Sequence, residues 1–146
     1  MAIALGSEED LPSILALLRQ SDLPTAGIER HMASTLIARH NGQIVGCAAV
    51  EIYGSAGLLR SVAVAADRRG EGLGQRLTDA ALELARSRGV RNLYLLTTTA
   101  GQFFPRFGFA PIARTEIDPA LDASEELRGA CPASAIAMRA SLEAGV

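Results

Sequence analysis

At 146 residues, 49% hydrophobic and 21% charged, the chain has the length and balance of one globular domain spanning residues 1–146. Its formal net charge of −2 excludes a nucleic-acid binder driven by a broad positive field, and the absence of lysine excludes Schiff-base and P-loop lysine chemistry. Cys47 and Cys131 stand in unlike contexts, with no CxxC or Cys/His cluster, so neither a disulfide framework nor a metal site is expected.

The N-terminus, MAIALGSEED, has no basic region and no long apolar run, so no signal peptide is expected. No segment has the apolar length of a membrane span, and a reducing cytoplasm is the expected compartment. Ala2–Leu5 reads as a first strand. Ser7 or Glu8 then opens a helix with acids in its first turn and an apolar stripe of Ile14, Leu15, Leu17 and Leu18. Residues 22–31 read as a loop or a short second helix. Residues 34–64 read as strands, with a hairpin at Asn41-Gly42, where both positions tolerate positive φ, and another turn at residues 54–57.

Residues 58–64 are densely apolar and read as a central strand. A glycine-rich turn follows, then a helix over residues 72–88 with Leu73, Leu77, Ala81, Leu84 and Ala85 on one face, stopped by Gly89. Residues 91–99 read as the next strand. A short helix ends at Gly108, with Pro105 awkward inside it. Residues 109–114 and 134–139 read as closing strands, with a short helix near residues 120–127 between them. The order β-α-(α)-β-β-β-α-β-α-β-(α)-β is that of one mixed α/β sheet.

The turn itself, AADRRGEGLGQRL over residues 65–77, has the character of an anion site. The first N–H groups of a helix lack internal partners, and the helix dipole favours negative charge there. Gly70, Gly72 and Gly74 let the backbone approach phosphate oxygens, and Arg68 and Arg69 add charged donors. A P-loop is excluded, because no lysine and no Ser or Thr follows the last glycine. A dinucleotide fingerprint is excluded as well. Gln75 stands where its spacing calls for a further residue of the motif, and the next strand ends LLTTT rather than in an acid.

What remains is Arg69-Gly70-Glu71-Gly72-Leu73-Gly74, which fits R/Q-x-x-G-x-G/A. With SVAVAADRRGEGLGQRL before and AGQFFPRFGFAPI after, the chain resembles the GCN5-related N-acetyltransferases over residues 5–139. The resemblance implies a mostly antiparallel sheet flanked by helices and splayed between two central strands, here residues 58–64 and 93–98. Acetyl-CoA would lie in that gap as co-substrate. Val62, Ala63 and Val64 would pair with its pantetheine arm, and the N–H groups of Arg69, Gly70, Glu71, Gly72, Leu73 and Gly74 would take its diphosphate. A backbone N–H near Val62 would hold the oxyanion. A homodimer, a small-molecule amine as partner, and no nucleic-acid or membrane partner are implied too.

The chain departs from the family in two ways. The family's leaving-group acid is a tyrosine, where this chain has Phe103-Phe104, with Phe104 expected along the pantetheine channel. Water or hydroxyls near Thr97, Thr98 and Thr99 are the substitutes, unless the thiolate leaves unaided. No general base is obvious. Glu51 is the first candidate, its alternative being an exposed strand carboxylate; His31 and His40 come behind it. By strand alternation Arg60 shares a face with Val62 and Val64, where it clamps a substrate acid or else pairs with Glu51.

The stretches LYLLTTTAGQFFPRFGF and CPASAIAMR are similar to the arsenic-resistance N-acetyltransferases of the ArsN type, and the threonine-rich strand end to the acetyltransferase domain of N-acetylglutamate synthase. Both imply an anionic amino acid or an analogue as acceptor, the first an arsenic- or phosphorus-based oxyacid. Arg60, Thr97, Thr98, Thr99 and Ser134 would then hold acid oxygens. Cys131 reads as an acetyl carrier, an arsenic-sensing thiol or a packed residue. A protein N-acetyltransferase and a non-catalytic acyl-CoA sensor stay open beside the small-molecule enzyme.

Overall fold

The computed structural model describes residues 2–98, 100–130 and 134–142. Among these, seven strands form one sheet in the order β1-β2-β3-β4-β5-β7-β6. They are β1 (Ala2–Leu5), β2 (Thr35–His40), β3 (Gln43–Tyr53), β4 (Ala56–Val64), β5 (Asn92–Thr97), β6 (Ala110–Ile112) and β7 (Ile136–Ser141). Every neighbouring pair is antiparallel except β4 and β5, which are parallel. The expected mixed α/β sheet flanked by helices is therefore present.

Local sequence explains the joints. Asn41 and Gly42 take φ of 52° and 79°, the left-handed pair that lets β2 turn straight into β3 with matching twist. At the chain's start, the Ser7 N–H donates to the Asp10 carboxylate at 2.9 Å, and α1 (Leu11–Gln20) follows with Ile14, Leu17 and Leu18 buried. The Arg39 guanidinium and the Ser7 N–H hold the Asp10 carboxyl below its ordinary range. The segment before β2, expected as a loop or a short helix, holds 3-10 turns over Ile28–Ser34 with a kink at His31.

The helix α2 (Leu73–Ser87) buries Leu73, Leu77, Ala81 and Ala85 as expected, together with Thr78 and Leu82. It packs on the sheet face that carries Leu36, Ala38, Ala48, Val50 and Leu59. At Gly46 a Cβ would stand 2.8 Å from Leu77 Cδ1, so the absence of a side chain lets helix and strand meet closely. The opposite face packs α1, Ile28 and Met32 against Ile37, Cys47, Ala49 and Ala63. Pro105 is accommodated because Phe104–Phe107 is one 3-10 turn, and its second position needs no N–H partner. The short helix expected near residues 120–127 is two pieces, Pro119–Ala123 and a single π-type turn, Glu126–Ala130, with Ser124 and Glu125 between them.

Two irregularities of β4 shape everything that follows. Its register with β5 runs only from Ala56 to Leu58, after which the strands diverge. Its register with β3 pairs Arg60 with Ala49 and Ala63 with Cys47, so Ser61 and Val62 together stand opposite Ala48. That is a β-bulge, and Ser61 carries it in the left-handed region at φ 60°. The bulge overturns the expected alternation. Val62 and Val64 pack toward α2, whereas Arg60 points to the α1 side. An extra residue between Arg60 and Val62's partner positions flips one relative to the other.

Candidate active site

Where β4 and β5 part, a cavity of about 460 Å³ opens, a volume suited to a small ligand. Leu59, Arg60, Ser61 and Val62 line one wall and Leu95, Leu96, Thr97 and Thr98 the other. Phe104 and Glu126 reach it from the flanking turns, and Asp22, Leu23 and Pro24 from the loop after α1.

Behind the β4 wall lies a buried ion-pair network. The side chains of Arg60 and Glu51 are both fully buried, with Arg60 Nη1 2.8 Å from Glu51 Oε2. The guanidinium also donates to the carbonyls of Ala26 (2.7 Å) and Pro24 (3.2 Å) and to Ser61 Oγ (3.0 Å). The other Glu51 oxygen accepts the Tyr53 hydroxyl at 2.5 Å and lies 3.6 Å from His31 Nε2. Burial acts to raise the Glu51 carboxyl, but hydrogen bonds from Tyr53, Arg60 and Ser124 outweigh it and hold the group below its ordinary range. Burial and the neighbouring carboxylate push the Tyr53 phenol up. Burial also lowers His31, against the pull of Glu51.

This geometry bears on two expectations. Glu51 is neither an exposed strand carboxylate nor a wall of the cavity; it is the locked counter-ion of Arg60 and is badly placed to act as a base. Arg60 does reach the cavity, but four of its hydrogen bonds go to protein groups, which leaves little of it to clamp a substrate acid. Its guanidinium holds the α1 loop, β3 and β4 in register with one another.

Glu126 is the residue that sequence reasoning missed. It is 4% exposed, lines the cavity, and sits 3.7 Å from Arg60 Nε through Oε1. Burial pushes its carboxyl up to about 7; Arg60 pulls against that and Glu51 adds to it. The adjacent Glu125 instead pairs with Arg30 on the surface. In the string SEELRG the two acids look alike, and nothing in their spacing says which turns inward. Leu121 and Ser124, both fully buried, mark an inward face, but apolar periodicity gives no reason for an acid to join it.

A stability test follows. A carboxyl raised in the folded state contributes fully below its ordinary value of 4.5, and that contribution is lost as pH climbs through about 7. Glu126→Gln is therefore expected to stabilise the protein at pH 8 by about 2–3 kcal/mol and to change little near pH 5. Thermal melts at the two pH values check this. An equal shift at both would mean that the charged carboxylate is not strained where it lies.

The glycine turn sits at the far end of β4. Gly70 and Gly72 have φ of 84° and 80°, and a Cβ at either would meet nothing within 4 Å, so both face open space. Gly72 caps α2, whose first turn holds no acid, and the helical bonds begin with Arg76 N to Gly72 O at 3.1 Å. The N–H groups of Leu73, Gly74 and Gln75 therefore lie at the open end of the helix. Gly74 packs beside Val64 and Phe103, and Arg69 Nε donates to the Val64 carbonyl at 3.2 Å, which joins the turn to the strand. Leu73 is buried, so only its backbone is available to a ligand at the turn, while Glu71 is exposed. Phe103, Phe104, Phe107 and Phe109 form one edge-stacked cluster, of which Phe104 reaches the cavity.

The sequence matches the acetyltransferase (GNAT) domain family over residues 31–111. The chain belongs to the GNAT family. It is 31% identical over 128 residues to the amino-acid acetyltransferase of Neisseria meningitidis, covering 80% of this chain and 29% of that protein. It thus spans less than a third of that relative's length. Among solved structures, N-acetylglutamate synthase from Neisseria gonorrhoeae, complexed with coenzyme A and N-acetyl-glutamate, superposes with a TM-score of 0.83 at 24% identity. That match covers 98% of this chain and 35% of the synthase. A Mycobacterium tuberculosis protein solved in complex with CoA gives 0.80 at 22% identity, covering 97% of this chain and 99% of that one.

Within this GNAT domain, Arg60, Val62, Thr97, Thr98 and Phe104 of the expected site residues line the cavity, and Arg69 to Gly74 form the turn after β4 and the start of α2. Val62 lines the cavity, while Ala63 faces the α1 side. Thr97 is buried at the end of β5, its hydroxyl oxygen accepting the Ala100 N–H at 3.0 Å; Thr98 lines the cavity and is exposed. Ser134 is exposed, next to the cavity residue Ala135. Thr99 and Cys131 lie outside the described residues. His40 sits by the Asn41-Gly42 turn and does not line the cavity. Burial pushes the Cys47 thiol up to about 12, and the residue lies in the α1-side core, so it is a packed thiol. No described helix is long and apolar enough to cross a membrane.

Proposed function

We propose that residues 1–146 act as one acetyltransferase domain that moves the acetyl group of acetyl-CoA to the amine of a small free amino acid. The observation that carries this is the splayed β4–β5 gap, with a cavity inside it and a glycine turn opening a helix at its end. The residues present suit the coenzyme. The N–H groups from Arg69 to Gly74 would hold its diphosphate at the start of a helix whose first turn holds no acid. The β4 edge beyond Leu58, left without β5, would pair with the amides of the pantetheine arm. The bulge leaves Ser61 and Val62 without one-to-one partners on β3, so an N–H there is available to hold the thioester oxygen as charge develops on it.

A phenyl ring at Phe104 has no proton to give the departing thiolate. Thr97 and Thr98 stand at the cavity, and Thr97 keeps its hydroxyl proton as a donor while its oxygen accepts from Ala100. The named relatives support an amino-acid acceptor, with glutamate first among candidates. Among the described residues lining the cavity, Arg60 is the one cation, and it already serves Glu51. Glutamate-like phosphinic and arsinic analogues therefore belong in the test as competitors of glutamate and glutamine.

Incubation with acetyl-CoA and a panel of amino acids and analogues, read by mass spectrometry, is expected to yield one or a few N-acetylated products. Tight acetyl-CoA binding with no acetylated product would support the sensor, and acetylation of proteins alone a protein acetyltransferase.

A further inference from the structure

We propose that Glu126 is the general base of the transfer reaction, accepting a proton from the ammonium group of the acceptor inside the β4–β5 cavity. This rests on the N-acetyltransferase reading and adds to it the group that the reaction requires. A free amino acid arrives mainly as an ammonium ion, which has no lone pair with which to attack a thioester.

Three observations favour Glu126 over the other acids. It lines the cavity while being almost wholly buried, so it faces the ligand space rather than bulk water. It is delivered by the one-turn segment Glu126–Ala130 to the part of the cavity that Arg60 also lines. And its hold on Arg60 is loose, 3.7 Å against the 2.8 Å contact of Glu51. Glu51 is fully committed to Arg60 and Tyr53, and Asp22 sits on a surface loop.

The groups that tune Glu126 come from each neighbouring element. Arg60 on β4 lowers it, Glu51 on β3 raises it, and burial raises it most. Behind these, His31 and Tyr53 bear on Glu51, Asp22 lines the same cavity, and Glu125 and Arg128 flank it on its own segment. The result is a carboxyl raised to about 7, which is half-ready to take a proton at neutral pH and to release it again.

The step balances as follows. The ammonium gives one proton to the Glu126 carboxylate, and the freed lone pair attacks the thioester carbon. The C–N bond forms and the C–S bond breaks, with its electron pair staying on sulfur. The nitrogen's second proton ends on that sulfur as the free thiol, and Glu126 returns its proton to water between turnovers.

The test is kcat/KM for the best acceptor from about pH 5.5 to 9, in the wild type and in Glu126→Gln. The wild type is expected to rise through a limb near 7 and level off. In Glu126→Gln the limb should vanish and the plateau fall roughly 100- to 1,000-fold, with acetyl-CoA affinity unchanged and the fold intact by thermal melt. Glu126→Asp should recover part of the rate. A Gln variant within about threefold of wild type, its limb intact, overturns Glu126 as the base while leaving the transferase reading standing. A wild type that binds acetyl-CoA and acetylates nothing overturns both.

Discussion

Arg60→Met is expected to destabilise the protein by about 3–5 kcal/mol at pH 8. The guanidinium is fully buried between two acids, Glu51 at 2.8 Å and Glu126 at 3.7 Å, and its removal takes the buried cation from both, leaving Glu51 with Tyr53, Ser124 and His31 alone. It also strands the carbonyls of Ala26 and Pro24, which it ties to β4. The loss has a signed pH dependence. Without Arg60 the already raised Glu126 carboxyl loses the cation that pulls it down, so the variant keeps more of its stability at low pH and loses more of it as pH rises. In the wild type Glu51 behaves oppositely. Its carboxyl is lowered, so its contribution is present above 4.5 and fades as pH falls. Denaturant melts of wild type and variant at pH 5 and pH 8 should show the larger gap at pH 8. A variant that melts like wild type and loses only affinity for the acceptor would return Arg60 to the role of substrate clamp.

Gly72→Asp is expected to weaken acetyl-CoA binding at least 100-fold while sparing the fold. The position is the cap of α2, where an acid suits the helix dipole, and its Cβ would meet no atom within 4 Å. The left-handed φ of 80° adds strain of about 1 kcal/mol, which aspartate tolerates better than most residues. A carboxylate at that point would repel a diphosphate held on the N–H groups beside it. Titration calorimetry with acetyl-CoA decides the matter, and retained affinity in a folded variant would move the diphosphate away from this turn.

The glycine turn and the elements around it were legible in the sequence because each has a short-range cause. Asn41-Gly42 needs positive φ, α2 has a 3.6-residue stripe, and Gly89 ends it at φ 87°. The bulge at Ser61 was not legible, since serine carries no mark of a left-handed conformation. One residue out of step was enough to put Arg60 and Val62 on different faces. Glu126 was hidden for a related reason. Its inward turn depends on the break at Ser124 and on Arg60 waiting 66 positions earlier in the chain, a tertiary pairing that no local pattern encodes. Phe104, expected along the pantetheine channel, is both core and cavity wall.

The most direct test of the central claim is the rate of free-thiol release from acetyl-CoA, with and without each amino acid of the panel. Release is expected to depend on the acceptor, to saturate in both substrates, and to disappear in Gly72→Asp. Release that no amino acid or analogue accelerates, from protein saturated with acetyl-CoA, would contradict it.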